Sequence, residues 1–103
     1  MKMKKVEISR LRASGKDGRA KPLGAAIAGT LESGEDCVDV EGIGASAVNN
    51  MVKAVAVANT MMKQDGHIGC YCVPEFFRRS DSKGNVTLIL MHVYSFKERD
   101  IYD

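Results

Sequence analysis

The sequence predicts an α+β two-layer sandwich, with two helices on one face of a small four-stranded sheet and the element order β-α-β-α-β-β. Three observations predict it. Val38 and Val40 alternate with Asp39 and Glu41, a strand pattern, and the chain then turns through Gly42 and Gly44. Beyond the turn, Val48, Met51, Val52, Val55, Asn59 and Met62 recur at three- and four-residue steps, which is a helical period. The last two apolar stretches, Ile68–Phe77 and Val86–Phe96, flank only a short polar turn, so they form a hairpin.

Val6–Ala13 reads as the first strand. Its apolar parity shifts between Ile8 and Leu11, which suggests a bulge or an early end. Ser14–Lys21 is a loop, and Pro22 suits the first turn of a helix, where its missing amide costs nothing. Leu23, Ala26, Ile27, Thr30 and Leu31 form one face of that helix, and Gly34 stops it. Ala47, Ala54, Ala56 and Ala58 keep the second helix thin, so it lies close to the sheet. Asp65, Gly66 and His67 break it. Ser80–Asn85 carries turn residues before the fourth strand.

At 103 residues the chain is expected to be one domain, 1–103, with its core in 6–96 and a charged tail in 97–103. Hydrophobic residues make up 45%, aromatics 6%, and Trp is absent, so the core is aliphatic. A net charge of +2 is too small to argue for nucleic acid by itself. No segment reads as a signal peptide or a membrane span. The expected location is the cytoplasm, nucleoid association included, where the three cysteines are reduced.

In the fourth strand, Val86, Leu88, Leu90, Tyr94 and Phe96 share one parity, and Ile89, Met91 and Val93 the other. Two helices cover one face only. The second face is therefore expected to meet another copy of the chain, as a dimer or higher oligomer.

Gly42, Gly44 and Ala47 match G-x-G-x-x-A between a strand and a helix, the spacing of a dinucleotide-binding turn. The chain is short for such a fold, the turn is not the first in the chain, and Asp65 sits in a loop. Close helix packing explains these glycines better. Cys70 and Cys72 share a strand face, with His67 before them and His92 on the paired strand. Their spacing is not that of a zinc knuckle, and small core residues are the better reading. No metal, cofactor or catalytic residue is expected, since neither histidine has an evident acidic partner.

Two segments are familiar: Ala25–Leu31, and above all Gly42–Ala58, which reads GIGASAVNNMVKAVAVA. With Cys72-Val73-Pro74-Glu75-Phe76 and the apolar fourth strand, they resemble the stage V sporulation protein S family over about residues 6–96. That family looks like a branch of the Alba-like superfamily. The resemblance implies a mixed four-stranded sheet with both helices on one face and assembly into dimers or larger oligomers. It also implies binding to DNA or RNA through basic strand–helix loops and a mobile hairpin, and a role as a sporulation or developmental regulator.

The residues that would carry such binding are Lys16, Arg19 and Lys21 in the first strand–helix loop, and Arg78, Arg79 and Lys83 on the hairpin. Phe76 and Phe77 adjoin the arginines and could stack on bases. Gly42, Gly44 and Ser46 open the second helix, whose N-terminal amides attract anions. Lys53 lies about two turns further on, and Asn49 and Asn50 could donate hydrogen bonds near that end. Glu41 departs from the basic character expected beside the second turn and would repel phosphate. The alternative is an oligomeric interaction scaffold with little nucleic-acid binding. A nucleotide or anion binder at Gly42–Ser46 is a third reading.

Overall fold

The computed structural model describes residues 9–97. Its elements are β1 (Ser9–Arg12), α1 (Ala20–Glu32), β2 (Cys37–Gly42), α2 (Ala45–Gln64), β3 (Cys70–Asp81) and β4 (Gly84–Ser95). The order is the one expected. Val6–Ile8 of the expected first strand and residues 98–103 of the tail lie outside the described residues.

The sheet is mixed, in the order β1-β2-β4-β3. β1 runs parallel to β2, with Leu11 opposite Val40. β4 is antiparallel to β2, with His92 opposite Asp39, and to β3, with His92 opposite Val73. Both helices cover the face that carries Val38, Val40, Met91 and Val93, all buried. Ile27, Ala28 and Leu31 of α1 and Met51, Ala54, Ala58 and Met62 of α2 complete this core. Each fully buried aliphatic side chain there contributes about 1.5–3 kcal/mol.

Several boundaries differ from the sequence reading, and three of them bear on the site. α1 begins at Ala20, so Lys21 belongs to its first turn and not to the loop, and Pro22 sits where no intrahelical amide is needed. β3 continues past Phe77 to Asp81, and β4 starts at Gly84, so the turn shrinks to Ser82 and Lys83. Ser80 and Asn85 pair across the strands, their side-chain oxygens 2.6 Å apart, which extends the ladder into the residues read as turn.

The helices cross tightly. A Cβ on Gly24 of α1 would lie 2.6 Å from Val57 Cβ and 2.8 Å from the Ala54 carbonyl oxygen of α2. α2 ends in a Schellman arrangement: the His67 amide donates to the Met62 carbonyl at 2.9 Å and the Gly66 amide to the Lys63 carbonyl at 3.1 Å.

The topology gathers one end of the molecule. β1 and β2 are parallel, so both strand–helix connections leave the same end of the sheet. Gly42 pairs with Ile89, and the β3–β4 hairpin runs past that point to its turn at Ser82–Lys83, projecting from the same end.

Candidate nucleic-acid interface

At that end the β1–α1 loop is pinned to α2. Asn50, buried in the second turn of α2, donates through Nδ2 to the Ser14 carbonyl at 2.7 Å and to the Lys16 carbonyl at 2.8 Å. Gly15 lies against the start of the helix, close to Ser46. Ser14 Oγ accepts from the Lys16 amide at 3.2 Å and tightens the loop. The loop rims an open cleft of about 360 Å³ lined by Arg12, Ser14, Lys16, Arg19, Pro22 and Leu23. Three cations therefore share one concavity.

Gly44 is the N-cap of α2, at φ 87°, a left-handed conformation that favours glycine, and no side chain caps the helix. The first amides of a helix have no intrahelical partner and carry the positive end of its dipole. Phe76 faces the same region. It is 79% exposed and lines a groove with Gly42, Gly44, Ala45, Val48, Thr87, Leu88 and Ile89.

The sequence-nominated residues divide. Lys16 and Arg19 come together in the cleft. Arg78 and Lys83 are exposed on the projecting hairpin, and Lys83 has an interaction of its own there. Arg79 does not join them. Neighbours on a strand point to opposite faces, and Arg79 turns to Glu41, with Nη1 3.2 Å from Oε2. Lys21 lies away from the cleft, over a groove between the helices lined by Ala56, Val57, Thr60, Met61 and Gln64. Lys53 is exposed on α2. Arg12 completes the cleft and was missed. Its signal was the Arg10/Arg12 alternation in the first strand.

A family model described as Stage V sporulation protein S matches residues 10–95, nearly all of the described chain. The chain belongs to the stage V sporulation protein S family. A search of curated proteins by sequence found no match. Among solved structures it is similar to Alba from Thermoplasma volcanium, with a TM-score of 0.52, covering 82% of this chain and 95% of that one. Sequence identity is 7%, so the likeness establishes an Alba-like fold and nothing about ligands.

In this stage V sporulation protein S chain, the sheet face without helices is not a bare apolar surface. Asp39 and Glu41 point there, as their parity requires, yet each is only 5% exposed. Side chains from the other three strands cover them. Asp39 meets His92 Nδ1 at 2.7 Å and Arg10 at 3.9 Å, and His92 Nε2 lies 3.3 Å from Glu75. Glu41 meets Arg79 and, at 3.7 Å, Arg12. Arg79 is close to Oε2 without hydrogen-bond geometry, so that oxygen is buried without a hydrogen-bond partner. Glu41 is therefore held between cations on the helix-free face of the sheet. Leu88 and Leu90 are buried on this same face, and Tyr71 stacks on Tyr94 at 5.2 Å and meets Phe96 at 4.7 Å.

The hydrogen bond that His92 donates to Asp39, reinforced by Glu75 and opposed by partial burial, raises the His92 pKa above the usual imidazole value. Burial, with Asp39 beside it, pushes the Cys37 thiol up to about 11. Cys70 and Cys72 face the helices and are part of or packed on the core, whereas His92 is on the opposite face and His67 pairs with Glu32 at 3.5 Å. The four residues considered together in the sequence are not brought to one point. Among the described residues no helix is long and apolar enough to cross a membrane.

Proposed function

We propose that this member of the stage V sporulation protein S family is a non-catalytic nucleic-acid-binding protein, a sporulation or developmental regulator acting in the cytoplasm, and at the nucleoid where DNA is the partner. The observation that carries the reading is the Asn50 clamp. It holds the loop bearing Lys16 and Arg19 beside Arg12 and the open N-terminus of α2. Phosphates are bound by cations and helix-terminal amides presented together, with no base contact required. The hairpin supplies a second arm with Arg78 and Lys83, and Phe76 offers an aromatic face on which a base can stack. Contacts of this kind follow the backbone, so low sequence specificity is expected.

Fluorescence anisotropy with labelled duplex DNA, single-stranded DNA and RNA at two salt concentrations tests the reading. Binding that weakens steeply with salt supports it. Absence of binding at low salt overturns it.

A second reading has its own observation. β3 is an edge strand, and its Tyr71, Val73, Phe76 and Phe77 are exposed. Such an edge suits pairing with another copy, so a homodimer or larger homo-oligomer is proposed with either function. If nucleic acid does not bind, the protein is an interaction scaffold, and its self-association is then insensitive to salt.

A further inference from the structure

We propose that Cys37, Asp39 and His92 form a binding site for a zinc-class divalent ion on the helix-free face of the sheet. Their ligand atoms, one from each side chain, all lie within 4.8 Å of one another. Cys37 and Asp39 are two apart on β2 and so share a face, and His92 stands directly opposite Asp39 on β4. Thiolate, carboxylate and imidazole make a borderline-soft donor set suited to Zn²⁺.

Two of the three donor–donor edges compare directly with a tetrahedral face. Zinc bond lengths of about 2.0–2.3 Å imply donor–donor edges of roughly 3.4–3.6 Å. Cys37 Sγ is 3.7 Å from Asp39 Oδ1, near that edge. His92 Nδ1 is 2.7 Å from the same oxygen, so this pair opens by under an ångström to admit the ion.

The surrounding groups are arranged as the outer partners of a metal site usually are. Asp39 divides its oxygens: Oδ1 faces Cys37 and His92, and Oδ2 faces Arg10 at 3.9 Å. With Nδ1 on the ion, His92 Nε2–H points to Glu75 Oε2 at 3.3 Å, the carboxylate–histidine–metal relation that fixes a tautomer. Cys37 and His92 are only partly buried, which leaves an entry path and a fourth position for water. Binding displaces the Cys37 thiol proton and any proton on His92, both to solvent. The charges then balance: Arg10 and the ion against Asp39, Glu75 and the thiolate. The ion would staple β2 to β4, the two central strands.

The test uses untagged full-length protein stripped with chelator, then titrated with Zn²⁺ and separately with Co²⁺. The expected result is stoichiometric Zn²⁺ binding with proton release, a raised melting temperature, and a thiolate-to-cobalt charge-transfer band. Cys37→Ser loses the band. His92→Ala weakens Zn²⁺ binding by more than the roughly 10–100-fold that loss of an outer partner costs, and Glu75→Gln weakens it within that range. Cys70→Ala and Cys72→Ala keep the band. No Zn²⁺ binding by the wild type, or a band that persists in Cys37→Ser or disappears with Cys70 or Cys72, overturns the site.

Discussion

The side-chain amide of Asn50 donates to the carbonyl of Ser14 at 2.7 Å across 36 residues of sequence. One buried amide thereby joins the loop after β1 to the helix after β2, and the same amide reaches the Lys16 carbonyl. The cationic cleft rests on this clamp. Asn50→Ala leaves two carbonyls without their donor and should cost about 1–3 kcal/mol of stability. Asn50→Asp should cost at least as much, because a carboxylate offers oxygen to oxygen. Urea denaturation with linear extrapolation measures both.

Arg78 and Arg79 should behave in opposite ways although they are neighbours. Arg79→Ala strips Glu41, 6% exposed in its side chain, of its nearest cation and should destabilise the fold by about 1–3 kcal/mol. Arg78→Ala should leave stability within about 0.5 kcal/mol, as surface changes do, and weaken nucleic-acid binding. Thermal melts and anisotropy on the two variants separate the roles.

His92 should make stability depend on pH. Its pKa is raised in the folded protein, first by the hydrogen bond with Asp39 and then by Glu75. A group whose folded pKa exceeds its unfolded value stabilises fully below the unfolded value, about 6.5, and loses that contribution as pH rises through the folded value. The groups facing His92 are Asp39 and Glu75 as acceptors, with Cys37 beside Asp39 and Arg10 beyond. Melts with chelator present should show the wild type losing stability from the mid-six range upward, and His92→Gln should flatten that part of the profile.

Gly24→Ala should be destabilising despite the better helix propensity of alanine. Its Cβ would meet both Val57 and the Ala54 carbonyl oxygen, and backbone cannot move aside as a side-chain tip can. Overpacking of this kind costs about 1–3 kcal/mol. Thermal denaturation of the single variant decides it.

The fold was legible because its signals are local. The Val38/Val40 alternation, the apolar steps from Val48 to Met62 and the short polar turn before Val86 each identify one element. The site was less legible, because its relations are long-range. Nothing in the sequence near Asn50 says that its amide reaches Ser14. The sequence places Arg79 on the hairpin beyond the expected end of β3 at Phe77, and so gives it no sheet face. Once the strand reaches Asp81, parity alone sends Arg78 and Arg79 to opposite faces. In the sequence, Asp39 and Glu41 are only the polar parity of an alternating strand. Only the placement of β2 inside the sheet, between β1 and β4, shows that side chains from the other strands bury them. Cys37 carries no local signal, because its partner His92 is on another strand.

The most direct test is the salt dependence of binding for the wild type against the triple variant Arg12→Ala, Lys16→Ala, Arg19→Ala, read by anisotropy on one labelled duplex and one labelled RNA. Each lost phosphate contact should lower the slope of log affinity against log salt by roughly 0.9 on duplex DNA and 0.7 on single strands. A clear drop in both slope and affinity, in a variant that remains folded, is the result predicted for a cleft that binds phosphate. An unchanged slope in the folded triple variant would contradict it and return the protein to the scaffold reading.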